Sequence, residues 1–95
     1  MNDYTERVQR GINLLNQHSP YWLNRLDLEN LYMDQEHQCI LGQLFGSYAK
    51  GKNKLGLVVG CEHGFVIRFE EDFENFVDLE DALLEAISKE LEKRA

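Results

Sequence analysis

Proline and cysteine are almost missing from this chain. Of 95 residues one is proline, Pro20, and two are cysteine, Cys39 and Cys61. A single proline excludes a Pro-rich extended segment. Two thiols exclude the disulfide framework on which small secreted domains depend, and both are expected to be free and to act as small apolar fillers. No run of ~18 apolar residues occurs, and the start MNDYTERVQRG carries acids and no apolar stretch, so neither a membrane span nor a signal peptide is expected. A cytoplasmic protein follows as the expectation. Bases are scarce too: ten Lys and Arg face seventeen Asp and Glu, for a net charge of −7. Sequence-independent nucleic-acid binding draws on Lys and Arg neutralising phosphates, so direct nucleic-acid binding is not expected.

What is present is globular. Hydrophobic types make up 43% and charged types 28% of the chain, with ten aromatics (five Phe, four Tyr, one Trp). That is too much apolar bulk for disorder and, at this length, enough for one modest core. The charge is uneven. Residues 1–61 hold six acids and six bases, whereas residues 62–95 hold eleven acids and four bases. The whole deficit therefore belongs to the C-terminal third, where an acidic field suits a protein partner with a basic surface.

Four segments have readable periodicity. Asp3 and Glu6 have the spacing of a capping box, and Tyr4, Val8, Ile12 and Leu15 behind them predict an amphipathic helix from Asp3 to about Gln17. Gly11 lies beside that stripe, where a missing side chain lets another backbone approach. Ser19 and Pro20 predict the start of a short helix or turn over Pro20 to Leu26. Ile40, Leu41, Leu44, Phe45 and Tyr48 predict one helix from about Glu36 to Ala49, with Gly42 and Gly46 four apart as a shallow groove for a second helix. Gly51, Gly56 and Gly60 then punctuate a second short element. Phe65, Val66, Ile67 and Phe69 make Gly64 to Phe69 the best strand candidate. Asp78 with Asp81 suggests a second cap, and Leu79, Ala82, Leu83, Ala86, Ile87 and Leu91 run at helical spacing to the end. The fold expected is mainly α: a compact single domain over residues 1–95, of about three to five helices, with at most a small β element.

Motifs with chemical content are few. Gly46 to Asn53 matches G-x-x-x-x-G-K-S/T except at its last place, where Asn53 lacks the hydroxyl that would hold magnesium, and the run follows a helical rather than a strand pattern. His37, Cys39, Cys61 and His63 form H-x-C and C-x-H pairs of zinc-ligand types, but side chains two apart diverge by ~200° on a helix, so they are weak metal candidates. No serine sits in a G-x-S-x-G elbow. No enzyme activity and no cofactor are expected.

Cys39-Ile-Leu-Gly-Gln-Leu-Phe-Gly-Ser-Tyr48, continuing through Gly51, Leu55, Gly56, Leu57 and His63-Gly64-Phe65, resembles a segment close to C-V/I-L-G-Q-L-Y/F-G-x-Y/F. That segment is shared by a group of small uncharacterised proteins of bacteria and their phages. Trp22, Arg25, Asp27 and Leu28 are similar to the same group's W-x-x-R-I/L-D-L/I run, so the resemblance covers roughly residues 8–65 and stops before the acidic third. It implies a bacterial or phage accessory protein and transfers no catalytic residue. Two functional readings remain. In the first, an adaptor or inhibitor meets a basic partner through Glu70, Glu71, Asp72, Phe73, Glu74 and Phe76, with self-association left open. In the second, a small ligand or nucleotide sits in a pocket between the helix containing Gly42 and Gly46 and the Trp22 segment, held by Trp22, Arg25, Gln43 and Tyr48.

Overall fold

Two long amphipathic helices carry the architecture of the computed structural model, which describes residues 4–68 and 71–94. Helix α1 (Tyr4–His18) buries Tyr4, Val8, Ile12 and Leu15, the stripe expected from its spacing, and with them Arg7 and Gly11. Its expected cap, Asp3, lies outside the described residues. At the other end of the chain α4 (Asn75–Arg94) buries Leu79, Leu83 and Ile87. Tyr4 and Arg7 meet Glu71, and Asn16 meets Glu90, so α1 and the C-terminal helix run parallel, side by side. Two parallel helices need a return path along their whole length, and the intervening segment supplies it as two short helices, α2 (Ile40–Phe45) and α3 (Tyr48–Lys54), and three 3₁₀ turns. Trp22, Phe65, Ile40 and Leu41 from this segment fill the space against the long pair, each at most 2% exposed.

The result is a mainly α-helical single domain of four α-helices, with no β-sheet among the described residues. Its Cα radius of gyration is 12.1 Å, close to the ~12 Å expected of a compact chain of this length.

Local chemistry explains each departure from the expected elements. The helix expected over Glu36 to Ala49 is broken into α2 and α3. Cys39 is extended (φ −72°, ψ 172°) and its Sγ accepts the Gly42 N–H at 3.3 Å, so helix starts only at Ile40. Gly46 then adopts φ +103° and Ser47 caps α3, its hydroxyl accepting the Lys50 N–H at 3.1 Å. A left-handed glycine followed by a serine cap is a stop and a restart, which the apolar spacing alone does not reveal. The Gly42/Gly46 groove for a second helix is likewise corrected. A side chain at Gly42 would collide with the backbone of Glu36 and His37, and the glycine that lets α2 and α3 approach is Gly51, whose Cβ would lie 2.7 Å from that of Leu41.

Gly64 to Phe69 is not a strand over its described part, residues 64–68. Gly64 is left-handed (φ +70°) and Phe65 N–H bonds back to the Gly60 carbonyl, closing a turn around residues 61–63. With no second strand among the described residues, the segment has no ladder to join. The C-terminal helix begins at Asn75, not at Asp78: Asn75, Phe76 and Val77 N–H groups bond to the carbonyls of Asp72, Phe73 and Glu74, winding the chain into helix a turn early. The turn after Pro20 spans Trp22–Arg25 with Tyr21 before it and no side-chain cap, so Ser19 contributes its carbonyl to Trp22 N–H rather than its hydroxyl.

Candidate functional site

The acidic-aromatic segment separates into residues that face inward and residues that face out. Glu71 faces inward. It accepts Arg7 Nη1 at 2.9 Å, the Arg68 backbone N–H at 2.7 Å, Asn75 Nδ2 at 3.3 Å and the Tyr4 hydroxyl. Partial burial pushes its carboxyl up, but these donors outweigh it and hold the pKa at about 2. Glu71 is therefore the clasp between α1 and the entrance to α4. Phe76 is half-buried and packs edge to face on Phe73, with ring centroids 5.3 Å apart. Phe73 itself is 69% exposed, and Asp72 and Glu74 on either side of it are exposed. Glu70 lies outside the described residues.

Beyond Phe73 the outward surface continues along α4. Val77 is 63%, Leu84 45% and Leu91 48% exposed. Seven-residue steps drift only ~20° on an α-helix, so these three side chains form one stripe, distinct from the buried Leu79–Leu83–Ile87 side. Asp81 flanks the stripe and Glu74 its start, and both are exposed. The spacing Val77–Leu84–Leu91 was available in the sequence as a second apolar period on the same helix, but the stronger inward period masked it.

The residues of the ligand-binding reading have internal partners. Trp22 is fully enclosed and its Nε1 donates to Asn16 Oδ1 at 2.8 Å, while Arg94 also donates to that oxygen. Arg25 Nη2 donates to the Leu44 carbonyl at 2.7 Å, satisfying an orphan acceptor at the end of α2. Gln43 is a brace: its Oε1 accepts Asp27 N–H at 2.7 Å, and its Nε2 reaches the carbonyls of Asp27, Asn30 and Gln38 at 3.0, 3.2 and 3.2 Å. One amide thus fastens the irregular 27–38 segment to α2. Of the four, Tyr48 borders two clefts. It stands between a cleft of about 270 Å³ lined by Met33, Glu36, Cys39, Phe65 and Phe76, and one of about 380 Å³ lined by Lys52, Val58, Val59, Cys61 and Arg68.

The zinc-type residues are dispersed in role. His37 is exposed and its Nδ1 lies 2.7 Å from the Gly46 carbonyl, Cys39 caps α2, and Cys61 and His63 occupy the 61–63 turn. Among the described residues no three His, Cys, Asp or Glu side chains assemble as metal ligands. Burial pushes the Cys39 thiol up, against the N–H groups of Gly42 and Leu41 that draw it down, which keeps it from the nucleophilic thiolate form. An aromatic disulfide reagent is accordingly expected to modify Cys61 rapidly in the folded chain and Cys39 only on unfolding; equal rates for the two would contradict the buried cap. In the G-x-x-x-x-G-K stretch, Gly46 ends α2 and Lys52 lies inside α3, so no phosphate-cradling loop forms.

His63 packs parallel to Phe65, with ring centroids 6.3 Å apart, and its Nδ1 is buried without a hydrogen-bond partner. Burial lowers its pKa below 6.5, the nearby Arg10 adds to the effect, and Glu62 opposes it. The unfolded chain then takes up the proton first, so stability is full above pH 6.5 and declines as pH falls from there toward the folded pKa. Urea midpoints measured across that window are expected to fall for the natural chain and to stay flatter for His63→Gln.

No helix among the described residues is long and apolar enough to cross a membrane. Set against known proteins, the chain matches no protein family, no curated protein and no solved structure.

Proposed function

We propose that the chain is a small protein-interaction module, an adaptor or inhibitor, whose working surface is the outer side of α4 and the turn that leads into it. The observation that carries this reading is the divergence of two neighbouring aromatics. Phe76 turns toward the core, whereas Phe73 stays 69% exposed among Asp72, Glu74 and, one turn on, Val77. A stretch that needed only solvation would not hold a phenylalanine in water, and exposed aromatic and aliphatic side chains ringed by charge are the usual composition of a docking face. The carboxylates around the stripe select a partner with a basic surface and speed its approach. Glu71 is removed from the proposed surface, because its oxygens face α1. The resemblance of residues 8–65 to small bacterial and phage proteins agrees with an accessory role of this kind.

The ligand-binding alternative has less support. Trp22, Arg25 and Gln43 hold the scaffold together, and a ligand between α2 and the Trp22 segment would have to displace those bonds.

Affinity capture from a native extract tests the proposal. The double variant Phe73→Ser/Val77→Ser, altered only at exposed positions, is expected to keep the melting behaviour of the natural chain and to bind the captured protein about 30-fold more weakly, a loss typical of one interface anchor. Undiminished capture would overturn the assignment.

A further inference from the structure

We infer that the basic surface met by this acidic-aromatic face includes that of a second copy of the same chain, in a two-fold pair where Phe73 of each copy enters the Tyr48–Val58–Val59 cleft of the other. The inference rests on the reading of α4 and its lead-in as a docking face and names a partner for it.

Three observations converge. The first is charge. Asp72, Glu74 and Asp81 take part in no ion pair among the described residues, and neither do Lys50, Lys52 and Lys54 of α3. The lead-in to α4 thus carries carboxylates without counter-ions, and of the three lysines Lys52 lines the cleft proposed for Phe73, whereas Lys50 and Lys54 line a separate hollow beside Phe45. The second is shape. Val58 is 87% exposed, the highest of the large apolar side chains among the described residues, and Val59 is 53% exposed; together with Tyr48, Val66 and Lys52 they line the cleft of about 380 Å³. The hollow also holds Glu62, which is paired with Arg10 and Arg68, so Lys52 is its cation without a carboxylate partner among the described residues; an exposed aromatic with acidic neighbours and a largely apolar hollow bearing that lysine are complementary in both respects. The third is placement. Arg68 lines this same cleft and is joined to Glu71 by two backbone-mediated bonds, Arg68 N–H to Glu71 Oε1 at 2.7 Å and Glu71 N–H to the Arg68 carbonyl at 3.0 Å. Phe73 also packs on Phe76, which shares the cleft of about 270 Å³ with Tyr48 and Val66, two residues that wall the hollow as well, so projection and hollow are joined by one run of contacts. Adjacent complementary patches are what a two-fold interface requires, since each copy then offers projection and hollow to its mate at once. The net charge of −7 on each copy opposes the contact, so the pair is concentration-dependent rather than permanent.

Sedimentation of the full chain over a concentration series tests this with two surface variants, Lys52→Gln/Val58→Ser in the hollow and Phe73→Ser/Glu74→Gln on the projection. The natural chain is expected to rise from 11.1 kDa toward twice that mass and stop. Each variant alone is expected to dissociate at least tenfold more readily. Their equimolar mixture recovers part of the loss, because it restores one undamaged contact of the two, the signature of direct coupling between projection and hollow. A single-chain mass at every concentration, a mass beyond two chains, variants that pair as well as the natural chain, or a mixture no better than its components would each overturn the inference. If the natural chain stays single while Phe73→Ser/Glu74→Gln still loses its captured protein, the pairing fails and the docking face stands. If that variant keeps its captured protein, the docking face fails as well.

Discussion

Replacing Gly11 with alanine is expected to destabilise the chain by about 3 kcal/mol, the upper range for overpacking a closed contact. On helix propensity alone the sign would be opposite, since alanine is favoured over glycine inside a helix by up to ~1 kcal/mol. The added methyl group, however, would collide with the carbonyl of His63 and come within 3.2 Å of the Phe65 ring. Neither can retreat easily. The 61–64 turn is itself pressed on α1, where a side chain at Gly64 would lie 2.7 Å from Val8 Cα, and Phe65 is buried. Denaturant unfolding of Gly11→Ala and of Gln9→Ala, an exposed control on the same helix, separates the effects. Loss at Gly11 with little change at Gln9 supports the close approach of turn and helix, whereas a stabilised Gly11→Ala would show that they do not touch.

Removing the Glu71 carboxylate has the second-largest expected effect. Its pKa of about 2 in the folded chain, against an ordinary 4.5, means that the folded state favours the ionised form. A depressed carboxyl contributes stability that is complete above pH 4.5 and disappears as pH falls through 2, where both states are protonated. Allowing for solvent screening at the rim of the site, the contribution is about 2 kcal/mol at neutral pH. Glu71→Gln should therefore be about 2 kcal/mol less stable than the natural chain at pH 7, with the two stability curves closing on each other between pH 4.5 and 2. A gap that persists unchanged at pH 2 would assign the effect to lost packing. Glu71→Gln is also expected to leave capture of a protein partner intact once folded, which sets it apart from substitutions at Phe73 and Val77.

Both effects bear on how much of this molecule the sequence discloses. The buried stripes of α1 and α4 were legible because a 3.6-residue period is local, except that Leu91, expected to continue the α4 stripe, is 48% exposed near the end of the helix, and the role of Gly11 as a place for another backbone was legible too. The break at Gly46–Ser47 was not, because it depends on a serine hydroxyl and a left-handed glycine competing with an apolar period that runs through them. The absence of a strand at residues 64–68 was not legible either: β-favouring residues describe a preference, and no partner strand is present among the described residues to satisfy it. The site shows the same division. Phe73 was visible as an aromatic out of place among acids. Glu71 was indistinguishable from its neighbours, since its partners Tyr4 and Arg7 lie 67 and 64 positions away. A clue did exist in Arg7, a charged residue three positions from Tyr4 and four from Gly11, on the inward side of its helix, where a buried guanidinium needs a carboxylate from elsewhere. Gln43, read from the sequence as a ligand-holding residue, is occupied instead by the Asp27 N–H and a set of backbone carbonyls.

The scaffold and the surface proposed for docking are built from different parts of the chain. Trp22, Arg25 and Gln43 tie the irregular return path to α1 and α2, and Glu71 fastens the start of α4 to α1. What remains outward is a helix face with an apolar stripe and acidic borders. Amide chemical-shift mapping of the isotope-labelled chain, as its captured partner is added, addresses this division most directly, because the only tryptophan and the Gln43 side-chain amide report on one side of it and α4 on the other. Shifts concentrated at Phe73, Val77, Asp81 and Leu84, with the Trp22 indole and the Gln43 amide unmoved, are the expected result. Movement of the indole and the Gln43 amide with α4 unperturbed would contradict it.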